Sequence, residues 1–383
     1  MKKFFKFPLL MAVAVLTTLG FASCDDDDDD KVTELTEQEK RLQTINEAYV
    51  DEVIVPTYKM LSDESALLED AVADLSKDIT DANVAKACEL WKTSRKYWEW
   101  SEAFLIGAAG IEGIDPHIDT WPLNRVTLQK DLLDTNLSQE QMKVKIEGSD
   151  MLAGFHGLEY IIFREGKNRP AADITPIEMR YAVAVVEDLV LSCYRLEAYW
   201  AGIDNVSGEK KSLLTEENQI PDINYGEHFK KAQKVAGMEE GDWGSIFGVS
   251  ENLIFGFMDI VDEVGNAKIG SAFTGEDPEY IESPHAYNSI QDFEDNIQGV
   301  RYAYFGKMEA TSAQSNSIGA YIKEMDATAD KAVLDAFDNA IAKIKAMPKP
   351  FVLNFTDPRA GEAIEACDDL NTALIAAQKV LRK

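Results

Sequence analysis

Apolar residues recur every three or four positions along most of the chain, which is the spacing of one helix face. The first such stretch follows a capping-box sequence at residues 36–39 and carries Leu42, Ile45 and Tyr49 before Pro56, which we expect to kink or break the helix. The same spacing predicts further helices that end near residues 75, 106, 163 and 200, and others at about 251–264, 288–305, 315–324, 326–346 and 359–382. The sequence contains no run of alternating strand residues and no Gly-rich phosphate loop. The pattern therefore predicts an all-α fold.

A polar stretch at residues 203–222, rich in Asp, Asn, Gly, Lys and Glu, separates two halves with the same order of helix, irregular loop and helix. The segments 157–163 and 299–305 also share Gly, Tyr and Phe at equal spacing. We therefore predict two helical bundles related by duplication. Their predicted bounds are 36–205 and 250–383, with 206–249 as the connecting segment.

The N-terminus is typical of a secreted lipoprotein. Residues 1–23 combine three lysines, an apolar run from 7 to 21 and Ala-Ser immediately before Cys24, which resembles the lipobox of bacterial lipoproteins. Six aspartates follow at 25–30. We predict a signal peptide at 1–23, lipidation of Cys24 and an acidic tether at 24–35, and hence an outer-membrane lipoprotein that faces the periplasm or the cell surface. Ordinary signal cleavage with Cys24 as a free thiol is the alternative.

The charge balance narrows the classes of partner. The formal net charge of −30 becomes −33 when the three lysines of residues 1–23 are removed. Such acidity argues against nucleic acid and anionic membrane surfaces as partners and favours cationic ligands; contact with the membrane would come through the lipid anchor. The remaining cysteines, Cys88, Cys193 and Cys367, have no zinc-site spacing. We expect buried free thiols, with one disulfide as the alternative.

The stretch from Gly154 to Tyr160 is the main candidate for chemistry. His156 and Glu159 lie three residues apart in a helical pattern, so both side chains leave the same face. The pair suits a metal ion or acid/base chemistry, and a buried hydrogen-bonded structural pair is the alternative. Neither the His-Glu-x-x-His sequence of zinc peptidases nor the spacing of a Ser-His-Asp or Cys-His site is present. His285, in a loop with Glu282, is a candidate for a further ligand.

The chain resembles the imelysin family, also called the M75 peptidase family, which includes iron-regulated bacterial surface proteins. The resemblance covers nearly the whole mature chain in order. It rests on Gly154-x-His156-x-x-Glu159 together with Trp91-x-x-x-Arg95, Glu102, Trp121-Pro122, the segments 262–266 and 288–293, and Asn296, Gly299, Tyr304 and Gly306.

The resemblance implies two related helical bundles with a shared site in the cleft between them. The residues that it carries to this site, besides His156 and Glu159, are Arg95, Glu102, Trp121, Glu263, Ser289 and Asp292. In one departure from the family pattern, Leu123-Asn124 follow Trp121-Pro122, where a carboxylate would suit a metal site, and Asp119 is the nearest substitute.

These residues lead to a functional hypothesis with two alternatives. We expect His156, Glu159, Glu102 and Asp292 to hold a metal ion, because a neutral imidazole and carboxylates suit iron and zinc. Iron is the metal that we expect, and zinc is the alternative. The protein would then bind a metal ion or a metal-containing ligand in iron or metal uptake. The alternatives are an M75-type metallopeptidase with Glu159 or Glu102 as the general base, and a metal-free lipoprotein that binds glycans or proteins.

Overall fold

The computed structural model describes residues 34–133, 135–238 and 243–383. The predicted signal peptide, Cys24 and the aspartate run lie outside the described residues. Within the described part of the chain, none of the helices is long and apolar enough to cross a membrane.

Nearly all regular structure is helical, as the apolar spacing predicts. The helices of the first half are α1 (Glu37–Tyr49), α2 (Val55–Lys77), α3 (Asp81–Ser101), α4 (Ala108–Ile111), α5 (Asp115–Asp119), α6 (Arg125–Leu128), α7 (Gln139–Glu147), α8 (Gly154–Ile162) and α9 (Pro176–Ala201). Those that follow are α10 (Gly208–Glu216), α11 (Tyr225–Lys230), α12 (Ile246–Asp262), α13 (Gly270–Thr274), α14 (Ser289–Phe305), α15 (Ile318–Met325), α16 (Ala327–Ala346), α17 (Phe351–Asn354) and α18 (Pro358–Gln378). One short antiparallel hairpin pairs β1 (Phe163–Arg164) with β2 (Lys167–Asn168).

Two stretches of widened, π-type helix differ from the sequence prediction. The segment Val50–Ile54 joins α1 to α2 without leaving the helical conformation, so Pro56 does not break the helix but lies in the first turn of α2. The segment Glu263–Ile269 likewise joins α12 to α13, where we expected an irregular loop from residue 265. Proline lacks the N–H that a helix interior uses and its ring crowds the preceding turn, and the widened turn directly before Pro56 accommodates both effects.

The close crossing of α3 and α14 positions the candidate site. Gly299 of α14 lies against the backbone of Trp100, and a Cβ atom at Gly299 would lie 2.5 Å from the carbonyl oxygen of Trp100. Only glycine therefore permits this approach. The crossing sets the polar face of α3, with Arg95 and Glu99, beside the first turns of α14, with Asp292 and Asn296.

Residues Glu37–Lys383 form one compact unit. Helices from the two predicted halves pack against each other within it, as α3 and α14 do, and also α1 and α12. The predicted connecting segment contains α10, α11 and the start of α12. The division into two bundles related by duplication stays a prediction.

Candidate functional site

The first glycine of the Gly-x-His-x-x-Glu sequence lets α8 begin in close contact with α5. Gly154 has a φ of +72°, and a Cβ atom there would lie 2.2 Å from the carbonyl oxygen of Ile118. This contact between the two helices places His156, in the first turn of α8, beside Asp119, the last residue of α5.

His156 lies between two carboxylates. Its Nδ1 atom is 3.1 Å from Oε2 of Glu159, and its Nε2 atom is 3.0 Å from Oδ1 of Asp119. Among the described residues, no hydrogen bond of good geometry is assigned to Nε2, so Asp119 acts on it mainly through its charge. The Trp121 ring covers the imidazole at a centroid distance of 4.6 Å. The imidazole is therefore fixed in orientation, with one nitrogen left available.

Both oxygens of Glu159 are engaged. Oε2 faces His156, and Oε1 accepts hydrogen bonds from the backbone N–H groups of His285 and Ala286, each at 2.8 Å. Burial would raise the pKa of Glu159, but the hydrogen bond and charge of His156, together with His285 and the backbone N–H of Ala286, outweigh burial and lower it. Glu159 therefore fixes both the imidazole and the loop that precedes α14.

Arg95 joins four carboxylates from different parts of the fold. Its guanidinium is fully buried and contacts Asp119 and Glu282, with Glu99 at 2.5 Å and Asp292 at 3.9 Å. The planar guanidinium suits such a site because it carries five N–H donors in fixed directions.

Lys268 is a second buried cation. It comes from the widened turn between α12 and α13, and its ammonium lies 2.9 Å from Glu102, 3.1 Å from Glu282 and 3.8 Å from Glu99. Glu102 also accepts a hydrogen bond of 2.6 Å from the Asn296 amide. Lys268 thus links the end of α3 to the loop that carries Glu282.

Carboxylates outnumber cations in this region, which we call the acidic centre. It contains two buried basic side chains, Arg95 and Lys268, together with His156 and six carboxylates, Glu99, Glu102, Asp119, Glu159, Glu282 and Asp292. Even with His156 protonated, three negative charges remain without compensation. A buried charge of this kind is costly, so the centre must take up protons or another cation.

The pKa directions follow from this imbalance. Burial raises the pKa of Glu99 and of Glu102 well above the usual value, and it raises that of Asp292 to about 7. For Asp119, Arg95 and His156 outweigh the effect of burial and hold the pKa below its usual range. For His156, burial lowers the pKa, but Asp119 and Glu159 together outweigh this effect and the pKa rises to about 9.

A cavity of about 120 Å³, the acidic cavity, opens beside this centre. Its lining consists of Glu102, Leu105, Asp115, Asp119, Trp121, Glu263, Lys268, Tyr280 and Glu282. Five of these residues are carboxylates and one is basic. Burial raises the pKa of Asp115 to about 7. A water molecule takes up roughly 30 Å³, so a cation with a few waters fits this volume.

The described residues include two groups whose ligand atoms lie within 4.8 Å of one another: Asp119 with His156 and Glu282, and Glu99 with Glu282 and Asp292. Buried oxygens without a hydrogen-bond partner occur in both groups, at Glu282 Oε2 and Asp292 Oδ2. The donor set and these unpartnered atoms fit a metal ion.

The structure brings the four sequence-predicted ligands together only in part. His156 and Glu159 are in contact. Glu102 lies instead with Lys268 and Asn296, and Asp292 lies with Glu99 and Glu282. The structure thus groups His156 with Asp119 and Glu282. The sequence suggested Asp119 only as the nearest substitute for the carboxylate that is missing after Trp121-Pro122.

The other predicted residues hold the site in place. Ser289 donates a hydrogen bond of 2.6 Å to the backbone carbonyl of Glu282, and Glu263 lines the acidic cavity from its solvent-exposed side. The imidazole of His285 packs against Tyr160 at 5.2 Å and contributes no ligand atom to the two groups above.

Sequence reasoning missed two residues of the centre, Glu99 and Lys268, and named Glu282 only as the loop neighbour of His285. Glu99 lies four residues after Arg95, a spacing that indicates an ion pair on one helix face. The position of Glu282, three residues before His285 in the sequence, was a weak indication that it belongs to the site. Lys268 had no such indication, because it reaches the centre only through the widened turn after α12.

Comparisons with known proteins agree with this fold. A sequence model of the family described as Imelysin, Peptidase M75, matches residues 54–377. Iron-regulated protein A from Synechococcus elongatus is 24% identical over 341 residues, which are 89% of this chain and 85% of the relative.

Two crystal structures are similar over most of their length. The first is the structure of a protein from Parabacteroides distasonis that is described as an iron-regulated protein A precursor. It has a TM-score of 0.77 and 26% sequence identity, and the match covers 92% of this chain and 97% of the other chain. The second is the structure of an imelysin-like protein from Psychrobacter arcticum. It has a TM-score of 0.57 and 14% sequence identity, and the match covers 91% of this chain and 95% of the other chain. At this identity, the likeness shows the fold alone. These likenesses confirm the all-α fold. Because the family match spans most of the sequence, the chain belongs to the imelysin, or M75 peptidase, family.

Proposed function

We propose that the protein is an extracytoplasmic, imelysin-family lipoprotein that binds a divalent metal ion, iron, at the acidic centre. One observation carries the proposal: buried carboxylates exceed buried cations beside a cavity of about 120 Å³. When bound, the metal would supply the positive charge that the protein's own residues lack. Uptake of iron or of an iron-containing ligand is the role that we propose for it.

The ligands in this proposal are His156, Asp119 and Glu282, which revises the set expected from the sequence. Glu159 has an orienting role, because it accepts the Nδ1–H of His156 and leaves Nε2 as the ligand nitrogen. A carboxylate behind a ligand histidine is a frequent feature of metal sites and raises the basicity of the ring. Arg95 and Lys268 hold Asp119 and Glu282 in position from the other side.

Three considerations support iron and an extracytoplasmic location. An imidazole with carboxylates suits Fe(II), Mn(II) and Zn(II), so ligand chemistry alone admits all three. The names of the two similar iron-regulated proteins favour iron among them. The signal-peptide and lipobox patterns of residues 1–24 support attachment to the outer membrane.

The peptidase alternative has less support from the geometry. Both candidate general bases are engaged: Glu159 by His156 and two backbone N–H groups, and Glu102 by Lys268 and Asn296. A general base must be able to accept a proton from a bound water, and the contacts of both carboxylates compete with that role, although Glu102 also lines the acidic cavity. An acidic cavity of this size also favours a small cation over a glycan.

Calorimetric titration of metal into a soluble chain that begins after Cys24 tests the proposal. Fe(II) under anaerobic conditions, Mn(II) and Zn(II) are titrated into the wild type, His156→Ala, Glu282→Gln and Glu279→Gln, the last being an exposed control from the same loop. We expect one site in the wild type and the control, and at least about tenfold weaker binding in the other two variants.

Equal affinity in all four proteins, with the fold intact by circular dichroism, contradicts the proposed site. A second assay addresses the alternative. Chelator-sensitive cleavage of an unfolded protein by the wild type, absent in His156→Ala, would favour the peptidase.

A further inference from the structure

A second cavity, of about 390 Å³, has the opposite charge. Lys92 and Lys96, one turn apart on α3, line it together with Lys349 from the segment before α17. The start of α14, at Asn288 and Gln291, forms another part of the wall. We call this space the lysine cavity. Three converging lysines are unexpected in a chain with a net charge of −30.

None of the three lysines forms a close ion pair among the described residues, although Lys96 interacts electrostatically with Asp295. Throughout the part of the chain that the structure describes, no carboxylate oxygen lies within 4.0 Å of their ammonium groups, although many other lysines form such pairs. The Lys96 ammonium lies over the rings of Tyr97 and Trp100, at 4.2 and 4.7 Å, which positions it without cancelling its charge.

Among the described residues that line the cavity, Asp295 is the single carboxylate. Both of its oxygens already accept hydrogen bonds, each of 3.1 Å, from Trp100 Nε1 and from Gln291 Nε2. The N-terminus of α14, a helix of 17 residues, adds a partial positive charge to the same wall. The local field is therefore positive even with Asp295 ionised.

We propose that the lysine cavity binds a small multivalent oxyanion, a carboxylate or a phosphate. Lysine ammonium groups on flexible stems bind such anions as point charges, and each interaction is a charge-assisted hydrogen bond. The volume lies within the range of small-ligand pockets, about 300–1,000 Å³. One residue links the cavity to the acidic centre: Asn288 lines the cavity and donates a hydrogen bond of 2.6 Å to Asp292.

This proposal does not depend on the proposed metal, and its test uses metal-free protein. Citrate and inorganic phosphate are titrated in separate calorimetric experiments at low ionic strength into the chain that begins after Cys24, with metals removed on a chelating resin. The test variant is Lys92→Gln/Lys96→Gln. The control is Lys145→Gln/Lys379→Gln, which removes the same charge at two exposed lysines outside the cavity.

We expect the wild type and the control to bind at least one of the anions with affinities within about twofold, and the test variant to bind it about tenfold more weakly or worse. Preference for citrate identifies a carboxylate ligand, and preference for phosphate identifies a phosphate ligand. Binding of neither anion by the wild type, or an equal loss in the control variant, overturns the proposal.

Discussion

Replacing Lys268 with methionine removes one of the two buried cations of the acidic centre while keeping a side chain of similar length. The Lys268 ammonium lies 2.9 Å from Glu102 and 3.1 Å from Glu282. At an effective dielectric constant of about 20, each contact corresponds to a Coulomb energy of roughly 5 kcal/mol. Protonation of Glu102, whose pKa burial raises, offsets part of this loss. We therefore expect the free energy of unfolding to fall by about 3–5 kcal/mol at pH 8.

The loss of stability should depend on pH in a defined direction. Burial holds the pKa values of Glu99 and Glu102 above their usual value, and removing Lys268 raises them further. A carboxyl group whose pKa is raised on folding destabilises the protein as the pH rises above its unfolded value, near 4.5. Because carboxyl groups with raised pKa values take up protons more readily at low pH, the loss should be smaller at pH 5 than at pH 8.

Urea unfolding of the metal-free protein, followed by circular dichroism at pH 5 and pH 8, measures this effect. Lys323→Met, at an exposed lysine of α15, is the matched control and should lie within about 0.5 kcal/mol of the wild type. A loss in Lys268→Met below about 1 kcal/mol, or one that is equal at the two pH values, would refute the reasoning about the acidic centre.

Three further predictions follow from individual contacts. In urea unfolding, Gly299→Ala should lower the free energy of unfolding by about 2 kcal/mol or more, because the new Cβ atom would lie 2.5 Å from the carbonyl oxygen of Trp100. The control Gly208→Ala should have little effect, because a Cβ atom at Gly208 would face open space. In metal-free protein, ¹³C NMR should show that His156 titrates near pH 9. The contribution of its protonation to the free energy of unfolding is therefore complete below pH 6.5 and is lost as the pH rises through 9. Asp119→Asn should lower the pKa of His156, and an unchanged pKa would contradict the assignment. The three cysteines beyond Cys24 are buried and free, which confirms the expectation of buried thiols, and a thiol reagent should modify them only after unfolding.

The sequence was sufficient to predict the helical fold, because apolar spacing reflects which face of a helix is buried. It was misleading at Pro56 and near residue 265, where a widened turn keeps the chain helical. Such turns leave the apolar spacing nearly unchanged, so periodicity does not reveal them. The long helices on either side of these turns were predicted, but α13 lies where we expected an irregular loop.

The candidate site was predictable where residues act within one helix or match a family motif. His156 and Glu159 form the expected pair, and Arg95 lies at the middle of the centre. The positions of Lys268 and Glu282 depend on the α3–α14 crossing and on the loop that Glu159 and Ser289 hold. Because these contacts join distant parts of the chain, no local pattern indicates them. The role of Glu159 as a metal ligand stays a prediction, and the orienting role belongs to the proposed site.

Anomalous diffraction at the iron absorption edge, from crystals of the Fe(II)-loaded chain that begins after Cys24, tests the central claim most directly. The proposal predicts one strong peak within about 2–2.5 Å of His156 Nε2 and of a carboxylate oxygen from Asp119 and from Glu282. Protein that holds one iron by elemental analysis but shows its peak away from these three residues, or that binds no iron at all, contradicts the account.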